Sequence, residues 1–193
     1  DNWIPGAGVD GILIFPDDFK VGADIKDVLG LDDYVFDISI TANRPDCQSV
    51  LGIAREVAAF LHKPLKAPDC SYTCDNASRD DITVDVLAKD ICPRYLGHYI
   101  YDVKHFESPL WMKRRLSVCG FGAIDAIVDV TNYVLLEIGQ PMHAYDLSTL
   151  EGPAIIVRRA ADGEKMVTLD EKEHTLTHDN LLICDKNKGV GLA

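Results

Sequence analysis

Ile124-Asp-Ala-Ile-Val-Asp129-Val-Thr131-Asn132-Tyr133-Val-Leu-Leu-Glu137-Ile138-Gly139-Gln140-Pro141-Met142-His143-Ala144-Tyr145-Asp146 is the stretch on which the fold turns. It predicts a helix from about Ile124 to Ile138, stopped by Gly139, with a loop beyond it that Pro141 keeps out of the helix. Leu110 to Cys119 before it also reads as helical, opened by Ser108-Pro109 and closed by Gly120. After it come four short strand-like pieces: Ile155–Arg159, Lys165–Leu169, His174–Thr177 and Leu181–Cys184. Asp162-Gly163 and Asp170-Glu171 suit hairpin turns between them.

The front of the chain is sparser. An apolar run of strand length ends at Phe15, and a short helical turn is expected from Ile25 to Leu29. Tyr34 to Ile40 alternates partly and is rich in aromatic and β-branched residues, which predicts a strand. Pro45 suits a first helical position and Asp46 a cap or first turn. From 47 to 62, Val50, Ile53, Ala54, Val57, Ala58 and Leu61 recur at helical spacing. Residues 63–81 are rich in Pro, Ser, Asn and Asp and form the best linker candidate. Ile82 to Leu87 and Arg94 to Val103 read as strands. The sum is an α+β (mixed α/β) chain, with a small αβ N-terminal part and a larger mixed-sheet domain with packed helices, incomplete at its C-terminus. No internal repeat or low-complexity tract is visible.

The 193 residues carry 19 Lys+Arg against 31 Asp+Glu, so the formal net charge is 19 − 31 = −12. With 47% hydrophobic residues the chain can bury a core, which excludes a disordered acidic tail. The charge excludes a generic basic nucleic-acid coat protein and makes any contact with nucleic acid local. No apolar run reaches 18 residues, so no membrane-spanning helix is expected. The N-terminus is neither a signal peptide nor an initiator sequence, and residues 188–193 read as the start of a glycine-rich turn. Both ends read as cut, and the chain is expected to be a piece of something longer. Six cysteines at irregular spacings, without Cys-x-x-Cys, point to reduced cytosolic thiols. Cys70, Cys74 and His62 lack a fourth metal ligand, so no metal site is expected.

Two long stretches resemble a known family: Asp37-Ile-Ser-Ile-Thr-Ala-Asn43-Arg44-Pro45-Asp46-Cys47-Gln-Ser-Val-Leu-Gly52-Ile-Ala-Arg55-Glu56, and the stretch from Ile124 to Asp146 quoted above. Both are similar to the beta subunit of bacterial-type phenylalanine–tRNA ligase (phenylalanyl-tRNA synthetase). Cys92-Pro93-Arg94-Tyr95 and Pro109-Leu110-Trp111-Met112 lie between them at the family's spacing, and the likeness runs from about residue 8 to 193. The resemblance implies that 1–15 are the tail of an oligonucleotide-binding-type tRNA-binding domain. Residues 16–66 would be the second part of the N-terminal domain, 67–81 a linker, and 82–193 the first part of the B3/B4 editing domain. It implies a cytoplasmic ligase that attaches phenylalanine to tRNA(Phe) with ATP and magnesium, working as a heterotetramer of two alpha and two beta subunits. That ATP chemistry would lie outside this fragment, which would hold no cofactor of its own.

The resemblance implies that the editing domain hydrolyses tyrosine wrongly attached to tRNA(Phe). Such a site makes physical sense, because a pocket built for a phenyl ring rejects an added hydroxyl only by roughly 10²-fold. A hydrolytic site needs a positioned water and donors for the oxyanion. In the family the histidine of Gln140-Pro141-Met142-His143 lines the editing pocket, either orienting the water or holding the terminal adenosine. From position alone, His143 better suits a cap on the preceding helix end, and the motif match reverses that preference. Thr131 and Asn132 are polar residues inside an apolar helix, and they fit either pocket-facing residues or a pair satisfied by backbone. The resemblance assigns them, with Ala193, to binding the substrate and the tRNA end.

Lys113-Arg114-Arg115 and Arg158-Arg159 are the compact basic clusters. The first is the candidate phosphate contact, and solvated faces are the plain alternative. Asn43-Arg44-Pro45-Asp46 reads as structural. Glu137 and Asp146 are carboxylates near His143 in sequence, for which solvated or helix-end roles are usual. The chain departs from the family at Ala42 (usually Pro) and Tyr145 (usually Phe), and the acidic residue that recognises the tyrosine hydroxyl lies beyond Ala193. The fragment alone is therefore expected to show little or no editing, and to self-associate through uncovered apolar surface. The alternatives are a non-catalytic module that binds tRNA or the alpha subunit, and an isolated hydrolase sharing the editing fold.

Overall fold

A computed structural model describes residues 15, 19–74 and 81–193. The apolar run at 8–15, the expected barrel tail and part of the linker lie largely outside the described residues. The chain divides into two compact units. A helical one comprises Asp1–Cys70 and Lys104–Ala144, and a sheet-based one comprises Ser71–Val103 and Tyr145–Ala193.

In the helical unit, α1 (Ile25–Leu29) starts at Asp24, whose carboxylate accepts from the Lys26 N–H at 2.8 Å. A 3-10 turn follows at Pro45–Cys47, with Pro45 at its first position and Asp46 in its first turn. The next helix, α2 (Val50–Phe60), begins later than the apolar spacing predicts. Ser49 adopts extended backbone and caps the helix, its hydroxyl accepting from the Gly52 N–H at 3.0 Å. Gly52 has to be glycine, because a Cβ there would stand 1.9 Å from the Asp46 carbonyl oxygen. α3 (Leu110–Val118) buries Met112 and Leu116. α4 (Ala126–Ile138) ends at Gly139, which takes the left-handed conformation expected of a helix stop (φ 78°). α2 packs on α4 and on the 3-10 turn, and α3 packs on α4 and α1.

In the sheet unit, four strands run in the order β1 (Thr83–Val86), β2 (Ala154–Arg159), β5 (Leu181–Cys184), β6 (Gly189–Leu192). β1 and β2 are parallel and the other pairs antiparallel. A parallel pair needs a long crossover, and here the connection carries α3 and α4. β3 (Lys165–Val167) and β4 (Glu173–Thr175) make a separate hairpin, with Glu171 at positive φ in its turn. Val157 and Leu182 are fully buried, and Ala160, Leu176, Leu182 and Cys184 form a cluster.

The mixture of helices with parallel and antiparallel strands is the expected α+β class. Four expectations are corrected. Asp162-Gly163 is a turn but not a hairpin, because β2 pairs with β1 and β5 while β3 pairs with β4. Tyr34–Ile40 and Arg94–Val103 belong to neither sheet. Tyr99 and Tyr101 do stack at 6.1 Å, yet strand-like composition marks a fit to a pleated, half-buried surface and not an independent structure. Tyr34 and Phe36 are instead largely exposed. Conversely, the expected glycine-rich turn at the end is strand β6, because β5 offers it a ladder, while the turn falls at 185–188 on Asp185.

Candidate functional site

The expected site residues begin on α4. Asp125 caps that helix, its carboxylate accepting from the N–H groups of Ile127 and Val128 at 2.8 and 3.1 Å. One turn in, Asp129 is 1% exposed. Its Oδ2 accepts from the Ser108 hydroxyl at 2.5 Å and its Oδ1 from the Ile124 N–H at 2.9 Å. It therefore ties the start of α3, the 121–125 loop and α4 together. A cavity of about 210 Å³ opens beside it, lined by Phe106, Ser108, Lys113, Ile124, Asp125 and Asp129 among others.

Thr131 and Asn132, half-buried, lie further along α4. They are not part of that cavity's lining. The Thr131 hydroxyl donates to the Val128 carbonyl at 2.7 Å, the backbone bond that threonine makes inside helices. Its oxygen keeps acceptor capacity. His143 is exposed on the loop after Gly139, where the Gln140 amide donates to the Pro141 carbonyl at 3.0 Å. Ala193 belongs to the sheet unit, where its N–H donates to the Leu181 carbonyl at 3.0 Å beyond the end of β6.

The basic clusters separate into individual arrangements. Lys113 pairs with Glu107 at 2.9 Å and holds that carboxyl below its usual range. Arg114 pairs with Asp33 at 3.2 Å. Arg115 has aromatic partners. It donates to the Tyr133 hydroxyl at 2.6 Å, and its guanidinium carbon lies 5.4 Å from the Trp111 ring centre. Arg158 grips Glu164 through two bonds of 2.8 and 2.7 Å, and Arg159 pairs with Asp90 at 2.6 Å.

Arg44 behaves as a structural residue. It bridges Asp46 at 2.7 Å and Glu56 at 2.6 Å, tying the 3-10 turn to α2. Its hydrogen bonds hold the Asp46 carboxyl down at about 2. Among the described residues, Asp46, Cys47 and Glu56 are the one group with possible metal-donor atoms within 4.8 Å of one another. The guanidinium already compensates both carboxylates, so the group does not fit a magnesium ion. All six cysteines carry free thiols.

Two features went unseen in the sequence. Asp129 and Ser108 are ordinary polar residues 21 positions apart, and nothing local pairs them. Tyr145 likewise approaches Gly191, which neither residue type announces. Its hydroxyl sits 2.7 Å from where a Cβ on Gly191 would lie, and burial pushes its phenol up to about 12.

Residues 91–193 match the family model of the B3/4 domain. The chain is 46% identical over 190 residues, 97% of its length, to a protein of Syntrophus aciditrophicus named phenylalanine–tRNA ligase beta subunit. It is 44% identical over 192 residues (98%) to the protein of that name from Clostridium tetani, and 48% over 185 residues (95%) to that from Oleidesulfovibrio alaskensis. The chain covers 24%, 24% and 23% of those relatives, so it spans about a quarter of their length. With the family model covering more than half of its residues, the chain belongs to the B3/4-domain family.

Proposed function

We propose that the chain is part of a phenylalanine–tRNA ligase beta subunit and that its B3/4 region hydrolyses tyrosine mistakenly joined to tRNA(Phe). The observation that carries this is identity of 44–48% over nearly the whole chain to relatives of that name, coupled to a B3/4 match. In this reading residues 16–66 complete an N-terminal domain and 82–193 begin the editing domain. The whole enzyme is a cytoplasmic heterotetramer of two alpha and two beta subunits that uses ATP and magnesium elsewhere. Among the described residues no helix is long and apolar enough to cross a membrane.

His143 either orients the attacking water or holds the terminal adenosine, and its exposure on a loop leaves it accessible to a substrate. Thr131 offers an acceptor and Asn132 both a donor and an acceptor to the ribose or amino group. Ala193 contributes to the amino-acid end. Hydrolysis adds water across the ester carbonyl and releases tyrosine and free tRNA. The phosphate role of Lys113 and Arg114 requires them to leave Glu107 and Asp33, which makes Arg115 the best placed of the three. Apolar residues exposed on α2, Val50, Val57 and Phe60, suit self-association of the isolated chain.

The test is His143→Ala in the complete two-subunit enzyme. Deacylation of Tyr-tRNA(Phe) falls by about 10²-fold, the low end for loss of a positioned acid–base group, while phenylalanine charging is unchanged. Unaltered deacylation would overturn the reading.

A further inference from the structure

Arg115 differs from its neighbours in the basic cluster because its partners are rings and not carboxylates. It lies one turn beyond Trp111 on α3, which places both side chains on one helix face. Trp111 meets Tyr133 of α4 edge-on, with ring centres 5.3 Å apart at 87°. Arg115 covers part of the same indole at 5.4 Å and donates to the Tyr133 hydroxyl at 2.6 Å. That hydroxyl in turn donates to Glu137 at 3.4 Å. Yet 50% of Trp111 remains exposed.

We propose that Trp111, braced by Tyr133 and Arg115, is a stacking platform for an unpaired nucleobase of RNA. The indole is held from two directions, so stacking a base on its free surface costs little further side-chain ordering. The guanidinium beside it keeps its charge for the phosphate of the stacked nucleotide. Lys113 and Arg114 lack this arrangement, since each is compensated by a carboxylate. In a chain of net charge −12 a diffuse field cannot hold RNA. A single stack with one adjacent cation is the kind of local contact that charge balance allows. The proposal rests on the reading that the chain acts on tRNA, and adds the residue that receives an unpaired base.

The chain has two tryptophans, so Trp3→Phe leaves Trp111 as the sole indole fluorophore. Titration with an eight-nucleotide oligoadenylate should quench its emission saturably, and inorganic polyphosphate should not. Because one cation takes part, log affinity should fall with log salt at a slope of only about −0.7. Trp111→Ala should weaken binding of a fluorescently labelled oligoadenylate about tenfold, within the range for one base stack. Trp111→Phe should recover most of that loss, which controls for misfolding, and Arg115→Gln should weaken binding and flatten the salt slope. No quenching, equal quenching by polyphosphate, or undiminished binding by Trp111→Ala would each overturn the platform. An overturned platform with His143-dependent deacylation intact leaves the editing reading standing. Quenching together with His143-independent deacylation does the reverse.

Discussion

Among the described residues each unit buries one carboxylate almost completely, and the two are satisfied in opposite ways. Asp185 of the sheet unit, 1% exposed, is surrounded by backbone N–H groups. Its Oδ1 accepts from Asn187 and Lys188, both at 2.8 Å, and its Oδ2 from Glu151 at 2.9 Å. Burial pushes its pKa up, but these bonds together outweigh it and the carboxyl sits below its usual range. Asp129 of the helical unit has one backbone partner and one hydroxyl, Ser108. A hydroxyl can reverse its role and a backbone N–H cannot. The sheet unit's carboxylate is thus chemically irreplaceable, whereas that of the helical unit is replaceable by an amide.

The largest expected effect tests whether the sheet unit's core is closed. Leu182→Ala, at a fully buried site on β5, should cost about 3 kcal/mol in urea unfolding. A loss below about 1 kcal/mol would mean that β5 is not central. In the helical unit, Gly52→Ala would by helix propensity stabilise α2 by up to about 1 kcal/mol. The 1.9 Å approach to the Asp46 carbonyl predicts the opposite sign, a loss of about 2 kcal/mol from forced repacking. A raised Tm would contradict that packing.

The carboxylate comparison itself is tested by two amide substitutions. Asp185→Asn turns an NH2 onto a backbone N–H in either orientation and should cost about 2 kcal/mol. Asp129→Asn can keep its oxygen on Ile124 and donate to Ser108, and should cost less than about 1 kcal/mol. Equal losses would erase the distinction. The smallest effect is acid sensitivity. Glu164, held at about 2 first by Arg158 and then by the Ala161 N–H, lies below its ordinary 4.5. A depressed carboxyl stabilises fully above the unfolded value, and that stability is lost as pH falls from about 4.5 towards 2. Glu164→Gln should flatten the pH dependence of stability in that window, lowering stability at neutral pH and leaving it nearly unchanged near pH 2.

Much of the local structure was legible in the residues. The helix stop at Gly139, the start at Pro109, the turn at Pro45-Asp46 and most strands of the last third lie within a few positions of where composition puts them. The first-turn place of Asp46 was legible too, whereas its ion pair with Arg44 was not, although it spans only two positions. Of the candidate site, the loop position of His143 and the helical position of Thr131 and Asn132 were legible. The bond of the Thr131 hydroxyl to the Val128 carbonyl was among the readings its position left open, and it leaves the oxygen's acceptor capacity for a pocket role. The apolar stripe on α2 misled in part, since Val50, Val57 and Leu61 remain exposed while Ile53 and Ala54 are half-buried. Periodicity marks a face without saying how much of it is covered.

What the sequence determined by itself is the set of features whose partners lie within a few residues: caps, helix ends and the hairpin turn at Asp170-Glu171. Tertiary structure alone decided which extended segments found a ladder, which is why Gly189–Leu192 is a strand while Tyr34–Ile40 and Arg94–Val103 are not. It also decided which cations meet carboxylates. Arg114 pairs with Asp33 across 81 positions and Arg159 with Asp90 across 69, while Arg115 is left to the aromatic rings. Local features are set by backbone geometry over a turn or two. A ladder or an ion pair between distant segments exists only once packing has brought both sides together, and residue type alone carries no record of that meeting.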